Sequence, residues 1–163
     1  MADYRREDGN HLSSLRPGRA VSWRPVVVLP VPSARVSVES AIPVRVVAAV
    51  VRRGGRLLVC QRPAHKRHGG LWEFPGGKLE EGESILDGAR RELAEELDVV
   101  VRDVDEQEFS FVDPGSPFVI EFHPVEIDGN PRCLEHTALA WVTPEQLLTL
   151  PLAPSDRQFA LYL

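Results

Sequence analysis

Residues 77–99 read Gly-Lys-Leu-Glu-Glu-Gly-Glu-Ser-Ile-Leu-Asp-Gly-Ala-Arg-Arg-Glu-Leu-Ala-Glu-Glu-Leu-Asp-Val, a glycine-ended turn that runs into a helix. Ser84 caps the helix, with Asp87 three residues on as a short version of the capping-box acid. Ile85, Ala89, Leu93 and Leu97 recur at helical spacing and form one apolar stripe, which must be buried against another layer. The sequence places Glu92, Glu95 and Glu96 off that stripe. At about 100° per residue, these three carboxylates share a narrow arc of the helix surface. Like charges three and four residues apart repel by a few tenths of a kcal/mol per pair in an exposed helix. A hard divalent cation with oxygen ligands would offset that repulsion, whereas a solvated charged face is the plainer alternative.

Short strands surround this turn and helix. Val44 to Arg52 is valine-rich and reads as a strand, Gly54-Gly55 as a hairpin turn, and Arg56 to Gln61 as the returning strand. Residues 62–70 form a polar loop. Leu71-Trp72-Glu73-Phe74 is a short strand that Pro75-Gly76-Gly77 stops. Further strands fall near 99–104, 108–112, 118–127 and 139–142; Pro144 opens a helix, and 156–163 forms a last helical segment. Mixed strands with a few helices give an α+β fold, an α/β/α sandwich with a mixed β-sheet packed between helices.

At 163 residues the chain suffices for one full core and is short for two. Residues 1–40 differ from the rest: six arginines face four acids, with prolines at 17, 25, 30 and 32. They are expected to form a mostly irregular extension, with one edge strand near Val26. The compact domain is expected over 41–163. A net charge of −5 argues against a general nucleic-acid coat protein. Of the two cysteines, Cys60 lies in the apolar run Leu57-Leu58-Val59-Cys60 and is expected to be a buried thiol. No apolar span of about 18 residues and no signal-peptide core occur, so a cytoplasmic protein with no membrane partner is expected.

The spacing within 77–99 closely resembles the Nudix box: glycine, five residues, glutamate, seven residues, then Arg-Glu-aliphatic-x-Glu-Glu-x-Gly-aliphatic. Gly77, Glu83, Arg91, Glu92, Leu93, Glu95, Glu96 and Val99 match it, and Asp98 stands where the family has glycine. That position ends the helix and calls for a left-handed conformation, which Asp tolerates better than most residues. Leu71-Trp72-Glu73-Phe74-Pro75-Gly76-Gly77-Lys78 is similar to the lead-in of MutT-type members. The resemblance covers roughly residues 43–163.

The resemblance implies a Nudix fold and hydrolysis of a nucleoside diphosphate linked to another group. Magnesium, with manganese as a substitute, would neutralise the phosphate charge that repels an oxygen nucleophile. It implies Glu92, Glu95, Glu96 and the carbonyl of Gly76 as metal ligands, with Glu92 positioning or deprotonating the water. Glu83 and Arg91 read as an internal ion pair that shapes the loop. Glu135 is either a further metal-binding or catalytic glutamate or a surface residue, and His136 beside it reads as a solvated loop residue. Arg62 is a phosphate- or base-contacting arginine or a strand-end charge. Phe74 stacks on a base or belongs to the core; Lys78 meets phosphate or solvent. Asp156 reads a base or serves as a helix N-cap. Trp72 and Trp141 are expected in the core.

The lead-in and the Pro-Ser-Asp segment point to a (deoxy)nucleoside triphosphate pyrophosphohydrolase acting on 8-oxo-dGTP or (d)CTP, in nucleotide-pool sanitation and DNA repair. Such an enzyme, a monomer or homodimer, takes a small nucleotide and requires no nucleic-acid polymer. One alternative keeps the chemistry with ADP-ribose or a dinucleotide polyphosphate, although no Ser-Gln-Pro-Trp-Pro-Phe segment of the NADH-cleaving type follows the box. A non-catalytic nucleotide or damaged-base recognition module is the alternative from another class.

Overall fold

The valine-rich stretch forms strand β1 (Val44–Val50), which is hydrogen-bonded on both sides and buried on both faces along its second half. The computed structural model describes residues 43–163; the expected 1–40 extension and its strand near Val26 lie outside the described residues. In order, the remaining elements are β2 (Arg52–Arg53), β3 (Arg56–Gln61), β4 (Trp72–Glu73), β5 (Gly76–Lys78), α1 (Ile85–Leu97), β6 (Val100–Val104), β7 (Phe109–Val112), β8 (Phe118–Asp128), β9 (Ala138–Val142), α2 (Pro144–Leu147) and α3 (Pro154–Tyr162).

One sheet runs β5-β1-β8-β6, with β7 also paired to β8; β1 and β8 are parallel and the other pairs antiparallel. The second sheet joins β2, β3, β4 and β9, all antiparallel. The pleat sends alternate residues to opposite faces. Ala48 and Val50 of β1, with Leu57 and Val59 of β3, enter a core with Phe74, Phe122, Leu147 and Phe159 beneath α2 and α3. Ala49 and Val51, with Leu58 and Cys60, enter a second core beneath Leu93 and Leu97 of α1. Helices therefore cover both faces of mixed sheet, the expected α/β/α sandwich. Cys60 is buried as expected, and Trp72 and Trp141 are half-buried against the two cores. Among the described residues, no helix is long and apolar enough to cross a membrane.

Three local expectations need correction. Gly76–Lys78 is a strand rather than a stop, paired with Val46–Ala48 of β1. Gly76 permits this with φ 141°, and a Cβ there would stand 2.1 Å from the Val47 carbonyl oxygen. Such pairing joins segments thirty residues apart and leaves no local signal. Asp156 is no N-cap, because α3 begins at Pro154 and its cap is Ala153. Pro at the first turn sets that boundary. The glutamates of α1 also do not all lie off the apolar stripe. Measured round the helix from Ala89 at about 100° per residue, Glu96 falls about 20° away, Glu92 about 60° and Glu95 about 120°. Glu96 is accordingly buried, Glu92 half-buried and Glu95 exposed.

Candidate active site

The turn before α1 is held by its own charged residues. The Ser84 hydroxyl accepts the Asp87 N–H at 3.1 Å and donates to the Asp87 carboxylate at 2.6 Å. Arg91 donates to both Glu83 oxygens at 3.0 and 2.9 Å, to Glu92 Oε1 at 2.7 Å and to the Lys78 carbonyl at 3.0 Å. Glu83 also accepts the Glu80 N–H at 2.8 Å. The expected Glu83–Arg91 pair therefore ties the turn to the helix, and Arg91 holds its carboxyl below the ordinary glutamate range. At the other end Asp98 adopts φ 55°, ψ 46°, the left-handed conformation expected for that position.

The β5 strand passes close over this helix. A Cβ on Gly77 would lie 2.2–2.4 Å from the Glu92 carboxylate, so only glycine lets that carboxylate reach the strand. The Gly76 N–H donates to Glu96 Oε2 at 3.0 Å. Burial pushes the Glu96 carboxyl up to about 7. Glu73 and Glu92 add repulsion, while His136 and the Gly76 N–H draw it down.

These groups open on a cavity of about 400 Å³. Among the sequence-derived candidates, Arg62, Phe74, Gly76, Lys78, Glu92, Glu96, Glu135 and Asp156 all line it, whereas Glu95 does not. Arg62 is committed to protein partners, donating to the Arg67 carbonyl at 2.7 Å and closely to Glu73. Phe74 is buried in the core, edge-on to Phe159 at 5.2 Å and to Phe122 at 5.8 Å. The Lys78 ammonium sits 4.7 Å over the Phe118 ring and pairs with no described carboxylate. Glu135 is half-exposed and bound to Lys66 at 2.9 Å, across the mouth from the 62–70 loop. Asp156 Oδ1 accepts the Phe74 N–H at 2.7 Å, and burial pushes its carboxyl up to about 7.

Two residues of the site escaped sequence reasoning. Glu73, a charge between Trp72 and Phe74, is held by Arg62 and by His136. His136, read as solvated, instead has a side chain only 4% exposed, with Nε2 3.2 Å from Glu73 Oε1 and 3.9 Å from Glu96 Oε1. The loop bearing it is stitched down through main-chain groups. The Arg132 and Leu134 N–H groups donate to the Leu97 and Glu96 carbonyls at 2.9 Å each, and the Thr137 N–H to the Gln61 carbonyl at 3.0 Å. This turns the ring inward, and no local periodicity announces it. The alternating charge at 73 was the one available signal for Glu73.

The donors fit a hard divalent cation. Glu92 and Glu96 bring carboxylate oxygens to one wall, and Glu96 is a buried carboxylate short of positive charge. Among the described residues, no three His, Cys, Asp or Glu side chains already stand close enough together to hold a metal. Glu135 is turned to Lys66 and Glu95 to solvent.

A family model described as "NUDIX domain" matches residues 42–163. The Escherichia coli CTP pyrophosphohydrolase is 41% identical over 116 residues, covering 69% of this chain and 85% of that protein. The Mus musculus oxidized purine nucleoside triphosphate hydrolase is 38% identical over 93 residues, covering 53% and 58%. The crystal structure of a MutT Nudix hydrolase from Burkholderia pseudomallei superposes with TM-score 0.64 at 28% identity, covering 74% of this chain and 96% of that one.

Proposed function

Because this chain belongs to the Nudix family and is a hydrolase acting on phosphoric anhydride bonds, we propose that it is a magnesium-dependent (deoxy)nucleoside triphosphate pyrophosphohydrolase, releasing a nucleoside monophosphate and pyrophosphate. The observation that carries this reading is that Glu92, Glu96 and Asp156 line one cavity of about 400 Å³, large enough for a nucleotide. Relatives named for CTP and for oxidised purine nucleoside triphosphates support a pyrimidine or an oxidised purine as the base.

The Gly76 carbonyl, Glu92 and Glu96 would hold the cation; Glu135 would join them by leaving Lys66, and Glu95 by turning in from solvent. When bound, magnesium supplies charge neutralisation at the phosphates and a more acidic water. Glu92, kept against Gly77 and Arg91, orients or deprotonates the attacking water. Lys78 reaches the phosphates, while Arg62 acts through Glu73. Asp156, whose carboxyl burial raises to about 7, offers a base edge a donor when protonated and an acceptor when ionised.

A magnesium-dependent screen over 8-oxo-dGTP, dCTP, CTP and ADP-ribose tests the substrate class. Turnover of a triphosphate with pyrophosphate release is expected. Exclusive cleavage of ADP-ribose would move the assignment to another nucleoside diphosphate derivative, and binding without turnover would favour a recognition module. Glu96→Gln is expected to abolish the metal-dependent rate; an unaffected rate would sink the metal-site assignment.

A further inference from the structure

We propose that His136 is a positioning residue, one that fixes the separation of the Glu73 and Glu96 carboxylates and moors the loop carrying Glu135. The assignment rests in part on the pyrophosphohydrolase reading above, because it is through Glu96 that His136 would act on the reaction.

The geometry is that of a donor set between two acceptors. Glu73 Oε1 lies 3.2 Å and Glu96 Oε1 3.9 Å from the same nitrogen, Nε2. Glu73 already takes an N–H from Arg62 on its other oxygen. A carboxylate in that setting accepts only, so Nε2 carries the hydrogen and Glu73 receives it. Two like charges facing each other repel; the N–H is given to Glu73, and the ring stands as a polar spacer between the two carboxylates, with Glu96 Oε1 3.9 Å away and beyond hydrogen-bond reach. Glu96 is meanwhile fixed from its other oxygen by the Gly76 N–H at 3.0 Å. The Glu96 carboxylate is thereby hydrogen-bonded on one oxygen and has the His136 ring against the other.

A second observation concerns the other ring nitrogen. With the hydrogen on Nε2, Nδ1 is left as an acceptor, and it is buried with no hydrogen-bond partner. A half-satisfied polar ring in the interior is a poor choice for stability, where an apolar side chain of similar size would serve better. His136 also follows Glu135 directly, so burying the ring limits where the Glu135 main chain can go, while Thr137 is tied to Gln61 at 3.0 Å.

The test compares three variants. In His136→Gln the amide nitrogen falls near the place of Nε2; in His136→Asn it falls near Nδ1; His136→Leu fills the volume with no donor. We expect His136→Gln to keep kcat within a few-fold, and the Asn and Leu variants to lose about 10–100-fold in kcat with KM nearly unchanged, the usual scale for groups that orient metal ligands. Manganese affinity, followed by electron paramagnetic resonance on the protein without nucleotide, should fall in the same order. In ¹⁵N-histidine spectra of the wild type, His136 should be the Nε2–H tautomer with a hydrogen protected from exchange, and Glu73→Ala should remove that protection. Equal kcat and manganese affinity in all three variants, or an Nδ1–H tautomer in the wild type, would overturn the proposal. If the wild type hydrolyses nothing on the nucleotide screen, the triphosphate reading fails by itself. The tautomer and manganese measurements then decide the role of His136.

Discussion

Asp156 shows how one buried group couples the fold to pH. Its carboxyl is pushed up to about 7 from an ordinary 3.8, chiefly by burial. Between about pH 4 and 7 the folded chain holds a proton that the unfolded chain has released, so stability falls as pH rises through that window. The full effect is on the order of 4 kcal/mol above pH 7. Asp156→Asn keeps an oxygen for the Phe74 N–H and cannot ionise. It should therefore make the decline in melting temperature between pH 5 and 8 shallower, leaving the part that the raised Glu96 carboxyl contributes, and melt higher than the wild type at pH 8. A variant that keeps the wild-type slope would show that Asp156 is not the group responsible. The residues legible in the sequence at this scale are those whose partners are local. Glu83 and Arg91 meet across eight positions of one turn and helix, and their pairing follows from spacing. Glu73 and His136 meet across 63 positions, and nothing in either neighbourhood foretells it.

The helix α1 illustrates what an element-level pattern can and cannot say. The box marked its start at Ser84 and its left-handed end at Asp98, and both hold. Glycine lacks the side-chain clash of that conformation but loses more backbone entropy on folding, and here Asp98 also pairs with Arg132. Asp98→Gly should accordingly shift unfolding free energy by less than about 0.5 kcal/mol. Asp98→Val, a branched residue at positive φ, should cost about 1–2 kcal/mol. Chemical denaturation of both variants checks this, and equal loss in the two would show that the ion pair rather than the backbone governs the position. The apolar stripe was legible too, and helical spacing alone sets Glu96 within it; what the sequence hides is the set of distant partners that lets a carboxylate be buried there. The nearby His136 ring and the approach of β5, which supplies the Gly76 N–H, make that burial tolerable.

For the whole molecule, sheet order and the pairing of Gly76–Lys78 with β1 depend on contacts between distant segments, so the sandwich class was readable whereas its register was not. The core beneath α3 converges on Phe159, which is fully buried and stacked 4.5 Å from Phe122. Phe159→Ala should lower stability by about 3–5 kcal/mol. Urea melts with an unchanged m-value would confirm loss of packing without loss of the global fold, and a cost below about 1 kcal/mol would mean that the core collapses to fill the gap. The 129–137 loop obeys a different economy from that core. It is fastened to the end of α1 through the peptide nitrogens of Arg132 and Leu134, while the Cys133 and Leu134 side chains stand exposed. At 132–134 the fastening therefore asks nothing of the side chains and only one thing of the backbone: proline, which has no N–H to give, is barred from 132 and 134.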